Sequence, residues 1–162
     1  MYLKTQGIDL RAPFIEALNE LNDDRIIIIT CDVGFSFLEK FKGRVLNFGV
    51  TEQSSMIIAA ALALEGFRPV FYSMIPFVTF RVHEMIRNAV CMHKAPVVIA
   101  GVKGSEKYSF LGFSHNLLWD TEETEWLEKL PGMKVYVPKT EEETKEAVRK
   151  IFSEDFPSYI RL

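Results

Sequence analysis

The chain has 162 residues, of which 48% are hydrophobic, and this content of apolar side chains is sufficient for one globular domain with a substantial core. Its formal net charge is −3, its sequence pI is about 5.7, and its Lys and Arg residues are scattered, which argues against a nucleic-acid-binding protein. The longest apolar runs are far shorter than a membrane span, and no apolar segment follows the N-terminal residues, so we expect neither a membrane helix nor a signal peptide.

Strand-like and helix-like segments alternate along the chain. In chain order, the pattern predicts a helix over residues 10–21, strands over 25–31 and 44–48, a helix over 52–65, a strand over 69–73, a helix over 77–93, a strand over 96–101, a loop over 102–115 that leads into a helix up to residue 129, a strand over 133–137, a helix over 141–152 and a last strand over 158–161. Strands that are almost uniformly apolar are typical of a parallel sheet covered on both faces. We therefore predict a single domain, residues 1–162, of the three-layer α/β/α class, with a mostly parallel sheet of about six strands.

Two local signals mark helix ends. Gly66 is expected to end the helix over 52–65, since glycine favours the position just past a helix. Thr140, with Glu143 three residues later, predicts a capped start for the helix over 141–152.

The two cysteines, Cys31 and Cys91, lie in apolar surroundings, and neither has a histidine at metal-ligand spacing. Buried free thiols are favoured over a disulfide, which fits a reducing cytoplasm, so we expect a cytoplasmic protein. We assign no metal ligand to this chain.

The most informative segment is Gly49-Val50-Thr51-Glu52-Gln53, which lies between an apolar strand and an Ala-rich helix over 55–64. Glu52 falls in the first turn of that helix, at the carboxyl end of a strand, where ligands bind in α/β sheets. One interpretation is a solvent-exposed glutamate stabilised by the helix dipole. The other is a carboxylate in a pocket, which the many small residues nearby favour because they let another element approach closely.

A second candidate segment is aromatic. Phe77 and Phe80 are three residues apart on one predicted helix face. They either pack in the core or form a wall against which a flat heterocycle stacks. Arg81 and Arg87 are placed to pair with Glu84.

Two further polar residues follow predicted strands or loops. Asp32 comes directly after the first strand, where it either faces a ligand or caps the turn. His115 follows a Gly-containing loop and is either a helix cap or a proton-transfer group.

Taken together, these segments have a distinctive order and spacing. They are Asp32-Val33-Gly34, Arg44-Val45-Leu46-Asn47-Phe48-Gly49-Val50-Thr51-Glu52-Gln53, Gly66-Phe67-Arg68-Pro69, Phe77-Val78-Thr79-Phe80-Arg81, Gly112-Phe113-Ser114-His115 and Pro131-Gly132-Met133. From about residue 23 to residue 162 the chain resembles the pyrimidine-binding domain of transketolase-type enzymes that use thiamine diphosphate. The element from Asn47 to Gln53 is the most specific part of the match.

The resemblance implies roles for the candidate residues. Glu52 matches the catalytic glutamate that hydrogen-bonds the ring nitrogen of the cofactor's aminopyrimidine, and a partly desolvated carboxyl group can share a proton with that nitrogen. Other positions match cofactor contacts, namely Phe77 stacked on the ring, Phe80 and Met74 lining the pocket, and Asp32 near the cofactor. His115 and Ser36 match positions that touch the sugar in sugar-transferring members, His115 being the second catalytic candidate.

The substrate side departs from the sugar-specific pattern. Leu111 stands where an aspartate is common, Val137 where an arginine can occur, and Lys103 where a histidine is found. An ordinary pentose phosphate is therefore not assured as the donor. Lys103 and Lys107 either meet an anionic substrate or are solvated loop charges.

The sequence contains no Gly-Asp-Gly segment typical of the diphosphate-binding domain, and we expect the C-terminal domain common in full-length members to be absent as well. The resemblance therefore implies a separate diphosphate-binding subunit that shares the thiamine diphosphate and holds a divalent metal such as Mg. A homodimer of this chain is expected at the core of a heterotetramer, and the chain alone should bind the cofactor weakly.

The expected activity is transketolase-like transfer of a two-carbon ketol unit between sugars or sugar phosphates. One alternative is a subunit of a split 2-oxo-acid decarboxylase or lyase, and another is a non-catalytic dimerisation or regulatory module. A Rossmann dehydrogenase is disfavoured, because no Gly-x-Gly-x-x-Gly follows the first strand.

Overall fold

The computed structural model describes residues 8–103 and 106–162, without the side chains of residues 106–108. Six strands form one sheet in the order β2-β1-β3-β4-β6-β5, and every neighbouring pair is parallel. The strands are β1 (Ile26–Thr30), β2 (Arg44–Asn47), β3 (Arg68–Met74), β4 (Val98–Val102), β5 (Lys134–Tyr136) and β6 (Ser158–Arg161). The predicted α/β class and the predicted parallel sheet are confirmed.

Helices cover both faces of the sheet. They are α1 (Arg11–Leu21), α2 (Phe35–Leu38), α3 (Glu52–Leu64), α4 (Ile75–Val78), α5 (His83–Met85), α6 (Thr124–Leu127) and α7 (Glu141–Ser153), together with 3₁₀ turns over Phe80–Val82 and Glu106–Ser114 and a π-helical turn over Ile86–Cys91. One core lies between the sheet and the pair α1 and α7. The other lies between the sheet, α3, the helical segment after β3, and α6.

Apolar side chains explain the position of the central strands. All five residues of β1 are buried, as expected for a parallel strand with helices on both sides. Along β1, side chains alternate between the two cores, with Ile27 and Ile29 on the α3 side and Ile26 and Ile28 on the α1 side.

The predicted helix ends are confirmed. Helix α3 ends before Gly66, whose φ of 89° lies in the left-handed region. At the start of α7, the Glu143 backbone N–H donates to the Thr140 hydroxyl at 3.1 Å, and the Glu143 carboxylate accepts from the Lys139 backbone at 2.7 Å.

The prediction of one regular helix over 77–93 is wrong. A helical turn begins earlier, at Ile75, and breaks at Thr79, whose φ and ψ are −120° and −78°. The buried Thr79 hydroxyl donates to the Ile75 carbonyl at 2.6 Å, and this local bond competes with regular helix geometry. The chain then continues through 3₁₀, α and π turns, so the side chains after Phe77 point in directions that a straight helix would not give.

The prediction of a long helix up to residue 129 is also wrong. Residues 115–123 form turns and bends without a regular helix, and helical structure is limited to α6. Side chains satisfy the backbone locally, since Glu122 accepts from the Leu118 N–H at 2.7 Å. Glu123 is completely buried and turns towards β6, which a continuous surface helix would not permit.

Other features agree with the predictions in outline. Strand ends differ from the predicted ones by one or two residues, and the short helix α2 was not predicted. Cys31 and Cys91 are buried and free, as predicted, and burial raises the pKa of the Cys91 thiol to about 11. Within the described ranges, no helix is both long enough and apolar enough to cross a membrane.

Candidate active site

Strand order places the candidate site at the carboxyl edge of the sheet. From β1 the chain crosses outward to β2, and from β3 it crosses in the other direction to β4, so the adjacent strands β1 and β3 flank a topological switch point. Asp32 follows β1 at this point, and α4, which carries Phe77, follows β3 directly.

Glu52 lies in the first turn of α3, and only 4% of its side chain is exposed. Thr51 shapes this turn, because its hydroxyl donates to the Phe48 carbonyl at 2.9 Å. The helix N-terminus favours a carboxylate here, but a buried charge also needs a close partner. The interpretation of Glu52 as a solvent-exposed glutamate is therefore wrong.

Arg81 is the partner of Glu52. Its Nη1 donates to Glu52 Oε1 at 2.5 Å, and its guanidinium carbon lies 3.9 Å from the centroid of the Phe77 ring. The interpretation that Arg81 pairs with Glu84 is wrong, and Arg87 instead donates to Asn88 at 2.5 Å. Sequence reasoning missed this role because the break at Thr79, which sets the direction of Arg81, leaves no mark in helical periodicity.

His115 also contacts Phe77. Its ring contacts Phe77 edge to face, with the ring centroids 4.9 Å apart. Its Nδ1 lies 2.8 Å from the Ser114 hydroxyl, which fixes the ring orientation. The turn that presents it requires glycine at Gly112, where φ is 72°. Phe77 thus contacts both Arg81, the partner of Glu52, and His115.

Asp32 is held beside the Glu52 turn by Asn47, a residue to which sequence reasoning gave no role of its own. Asn47 Oδ1 accepts from the backbone N–H groups of Asp32 and Gly49, both at 3.0 Å, and Asn47 Nδ2 donates to Asp32 Oδ1 at 2.8 Å. Asp32 and Gly49 have φ values of 57° and 67°, both in the left-handed region. The side chain of Asn47 therefore ties the turn after β1 to the turn before α3.

A cavity of about 690 Å³ opens at the same edge of the sheet. Of the predicted site residues, Asp32, Met74 and Lys103 line it, together with Arg11 and Tyr72. Burial raises the pKa of Tyr72 to about 12, so its hydroxyl stays protonated at neutral pH. The predicted residues therefore fall into two neighbouring groups, one around Arg81 and one along this cavity.

Lys103 is engaged within the chain. Its Nζ lies 2.5 Å from Asp120 Oδ1, and this contact holds the pKa of the Asp120 carboxyl below its usual range. Ser36 lies in α2 and is exposed, and 38% of Phe80 is exposed at the start of its 3₁₀ turn. The side chain of Lys107 lies outside the described residues.

A buried polar network fixes the segment after His115. Glu123 Oε1 accepts from Tyr159 at 2.8 Å and from Arg161 Nε at 2.7 Å, and Arg161 Nη2 donates to the Asp120 carbonyl at 2.5 Å. Burial raises the pKa of Tyr159 well above its ordinary value, so the hydroxyl remains a donor. The network attaches the turns of residues 115–123 to the end of β6.

Comparison with known protein families identifies the family of this chain. The family model of the transketolase pyrimidine-binding domain matches residues 6–162. The chain belongs to this family. Among the described residues of this pyrimidine-binding domain, no cluster of three or more His, Cys, Asp or Glu side chains is arranged to hold a metal ion.

Curated relatives are longer proteins. The 1-deoxy-D-xylulose-5-phosphate synthase of Tropheryma whipplei is 34% identical over 129 residues, which are 77% of this chain and 19% of that protein. The 1-deoxy-D-xylulose-5-phosphate synthase 2 of Geobacter sulfurreducens is 32% identical over 159 residues, 91% of this chain and 24% of that protein. The domain thus spans about a fifth to a quarter of the length of these relatives.

Solved structures show the same fold. A split-gene transketolase, described as an inactive β4 tetramer, superimposes with a TM-score of 0.80 at 31% identity, over 96% of this chain and 51% of that chain. Transketolase from Campylobacter jejuni superimposes with a TM-score of 0.78 at 21% identity, over 99% of this chain and 27% of that chain, which supports the fold alone.

Family membership implies dependence on thiamine diphosphate, and the residues present fit its aminopyrimidine ring. Glu52 and Phe77 already hold a planar group that donates a hydrogen bond to the carboxylate and lies against the aromatic face, namely the Arg81 guanidinium. A planar heterocycle with donor groups can make the same two contacts.

Proposed function

We propose that this chain is the pyrimidine-binding subunit of a split thiamine-diphosphate-dependent enzyme that transfers a two-carbon ketol unit between sugars or sugar phosphates. The observation that carries the proposal is a buried carboxylate, Glu52, and an aromatic ring, Phe77, that contact the same guanidinium group at the carboxyl edge of the sheet. A module that served only for dimerisation would gain nothing from burying the Glu52 side chain, because burying a charged or polar group costs free energy.

The residues of this chain are proposed to bind the pyrimidine ring of the cofactor, to orient it and to transfer protons. Thiamine diphosphate, when bound, supplies the carbon that attacks the substrate carbonyl. Glu52 binds the ring nitrogen of the pyrimidine and exchanges a proton with it, in a site from which the surrounding side chains exclude water. Phe77 orients the ring, and Phe80, Met74 and Asp32 complete its surroundings.

His115 is proposed as the second proton-transfer group. It is partly exposed, and its ring contacts Phe77, the side chain on which the pyrimidine would stack. Its Nδ1 lies beside the Ser114 hydroxyl, which leaves Nε2 for a substrate oxygen. Ser36 and Lys103 are proposed to contact the substrate farther from the reacting carbon.

The complete enzyme requires a diphosphate-binding unit, which we propose is a separate polypeptide that also holds a divalent metal such as Mg. The solved structure described as a split-gene transketolase supports this arrangement, because it matches 96% of this chain and its name indicates that the enzyme is encoded in separate parts. Its description as an inactive β4 tetramer fits a subunit that lacks its partner. We place the assembly in the cytoplasm, where free thiols such as Cys31 and Cys91 are stable.

A second candidate is a synthase that takes its two-carbon unit from a 2-oxo acid. The curated relatives named 1-deoxy-D-xylulose-5-phosphate synthase favour it. So do Leu111 and Val137, which depart from the sugar-specific pattern. Assays of the reconstituted complex with a ketose phosphate and with pyruvate as alternative donors, and an aldose phosphate as acceptor, separate the two reactions by their products.

The test of the proposed function is Glu52→Gln in the complex formed with a coexpressed diphosphate-binding subunit, thiamine diphosphate and Mg²⁺. The amide keeps the size of the side chain but cannot supply the proton, so we expect turnover to fall by roughly 10²–10⁴-fold while the fold is retained. Glu65→Gln, at the exposed far end of α3, is the matched control and should retain activity. Unchanged turnover in Glu52→Gln would remove Glu52 from the mechanism, and full activity of this chain without a partner would overturn the split arrangement.

A further inference from the structure

Arg81 makes the two contacts that the proposed function assigns to the cofactor ring. Its guanidinium donates to the Glu52 carboxylate at 2.5 Å and lies over the Phe77 ring at 3.9 Å. A guanidinium is planar, delocalised and rich in N–H donors, and it stacks on aromatic faces. In shape and hydrogen bonding it therefore resembles a protonated aminopyrimidine.

We propose that Arg81 is a latch that occupies the pyrimidine contacts of Glu52 and Phe77 in the cofactor-free chain and leaves them when the cofactor binds. The inference rests on the proposed function. It adds that, when the cofactor binds, its pyrimidine ring replaces the Arg81 guanidinium at the Glu52 carboxylate and the Phe77 ring.

The surroundings explain why the latch closes. Glu52 is buried, and an unpaired carboxylate in that position would be costly. Arg81 is the partner that balances this charge in the chain by itself. The latch therefore keeps the site intact before a second subunit delivers the rest of the binding surface.

The surroundings also explain why the latch can open. The Arg81 side chain is 38% exposed, so its guanidinium can move into water without a large rearrangement. Its backbone lies in a 3₁₀ turn just after the break at Thr79, and the Gln53 side chain donates to the Arg81 carbonyl at 3.3 Å. The backbone is thus held in place while the side chain remains free to swing.

The latch has a quantitative consequence for binding. A ligand that binds only the open form has an apparent affinity reduced by the fraction of open molecules. If the latch is closed in roughly 90% of molecules, removing it should tighten binding of the ring about tenfold.

The first test uses this chain and 4-amino-2,5-dimethylpyrimidine, the ring of the cofactor without its charged tail, in a ligand-observed NMR titration. We expect Arg81→Ala to bind the ring about tenfold more tightly than the wild type. Arg87→Ala is the matched control, since Arg87 is an exposed arginine in the next turns that bonds Asn88 instead. Binding that is unchanged, weaker or undetectable in Arg81→Ala, or an equal gain in Arg87→Ala, would overturn the latch.

The second test needs no ligand and detects loss of folding. Urea unfolding of the wild type, Arg81→Ala, Glu52→Gln and the double variant forms a double-mutant cycle. The latch predicts that the two changes are not additive, because each removes the same ion pair, whereas additive effects would show that the pair does not form in solution. Loss of activity in Glu52→Gln with no gain in ring binding by Arg81→Ala would reject the latch alone and leave the proposed function standing.

Discussion

Glu52 illustrates how single residues make this site. The first turn of α3 places its carboxylate at the positive end of a helix, which stabilises the charge by a few tenths to about 1 kcal/mol. That gain is smaller than the cost of burial, so the ion pair with Arg81, whose guanidinium in turn lies over the Phe77 ring, is needed as well. Because Glu52 depends on one ion-pair partner, it is sensitive to the replacement of that partner. In our proposal, the cofactor ring replaces Arg81.

Asn47 is a second single residue on which the site depends, and its role can be tested by substitution alongside a matched control. Asn47→Ala removes the amide that joins Asp32 to Gly49, so we expect the concentration of thiamine diphosphate needed for half-maximal activity to rise severalfold. The bonds are solvent-exposed, and the free energy of unfolding should fall by only about 1 kcal/mol. Enzyme titration with cofactor and urea unfolding measure the two effects.

Asn19→Ala provides the control for this change. Asn19 makes comparable bonds between α1 and the loop before β2, donating to the Lys40 carbonyl at 3.0 Å and accepting from the Lys42 N–H at 2.9 Å. It should lower stability by a similar amount and leave the cofactor requirement unchanged. An equal rise in the cofactor requirement in both variants would show that Asn47 acts on the fold and not on the site.

At the scale of elements, the site depends on two segments that depart from regular helix. The break at Thr79 sends Arg81 back towards Glu52, and the turns of residues 115–123 bring His115 to Phe77. The second segment has little regular hydrogen bonding of its own. The buried Glu123 network with Tyr159 and Arg161 therefore holds it against the sheet.

Breaking this network should release the segment. Glu123→Ala leaves Arg161 without its buried counter-charge, and we expect the free energy of unfolding to fall by about 3–5 kcal/mol. Glu122→Ala, which removes one hydrogen bond to the Leu118 backbone, should cost about 1 kcal/mol. Chemical denaturation measures both, and equal small losses would mean that the network does not carry the segment.

At the scale of the whole molecule, α3 is apolar on two sides. Its inner side packs on the sheet, whereas Ile57, Ile58 and Leu64 are exposed on the outer side, at 49%, 39% and 57%. The small exposed residues Ser54 and Ala61 lie on the same side of α3 and allow close helix packing. This is the surface that we propose to join two copies of the chain at the core of the assembly.

A charge on this surface should separate the copies. Burying an aspartate in an apolar contact is unfavourable, so Ile57→Asp should shift the chain from dimer to monomer in size-exclusion chromatography with light scattering. Phe156→Asp, at a similarly exposed apolar residue (46%) in the turn before β6, should leave the dimer unchanged. A wild-type chain that is monomeric at high concentration would contradict the proposed dimer.

The sequence by itself determined the layered parallel fold, the ends of α3 and α7, and the position of Glu52 at the carboxyl edge. These follow from the period of apolar residues, from glycine and capping residues, and from a motif that is contiguous along the chain. The same reasoning missed Asn47 as a link between turns and assigned Arg81 the wrong partner, since both contacts join residues far apart in sequence.

Only the tertiary structure decided which side chains meet. Arg81 reaches Glu52 across 29 positions and Glu123 reaches Arg161 across 38, and neither spacing has a periodic signature. A buried charge selects its partner by distance and direction in space, and those were set here by a broken helix and an irregular loop. Local propensity fixes where an element begins and ends, but the pairing of charges depends on how the finished elements pack.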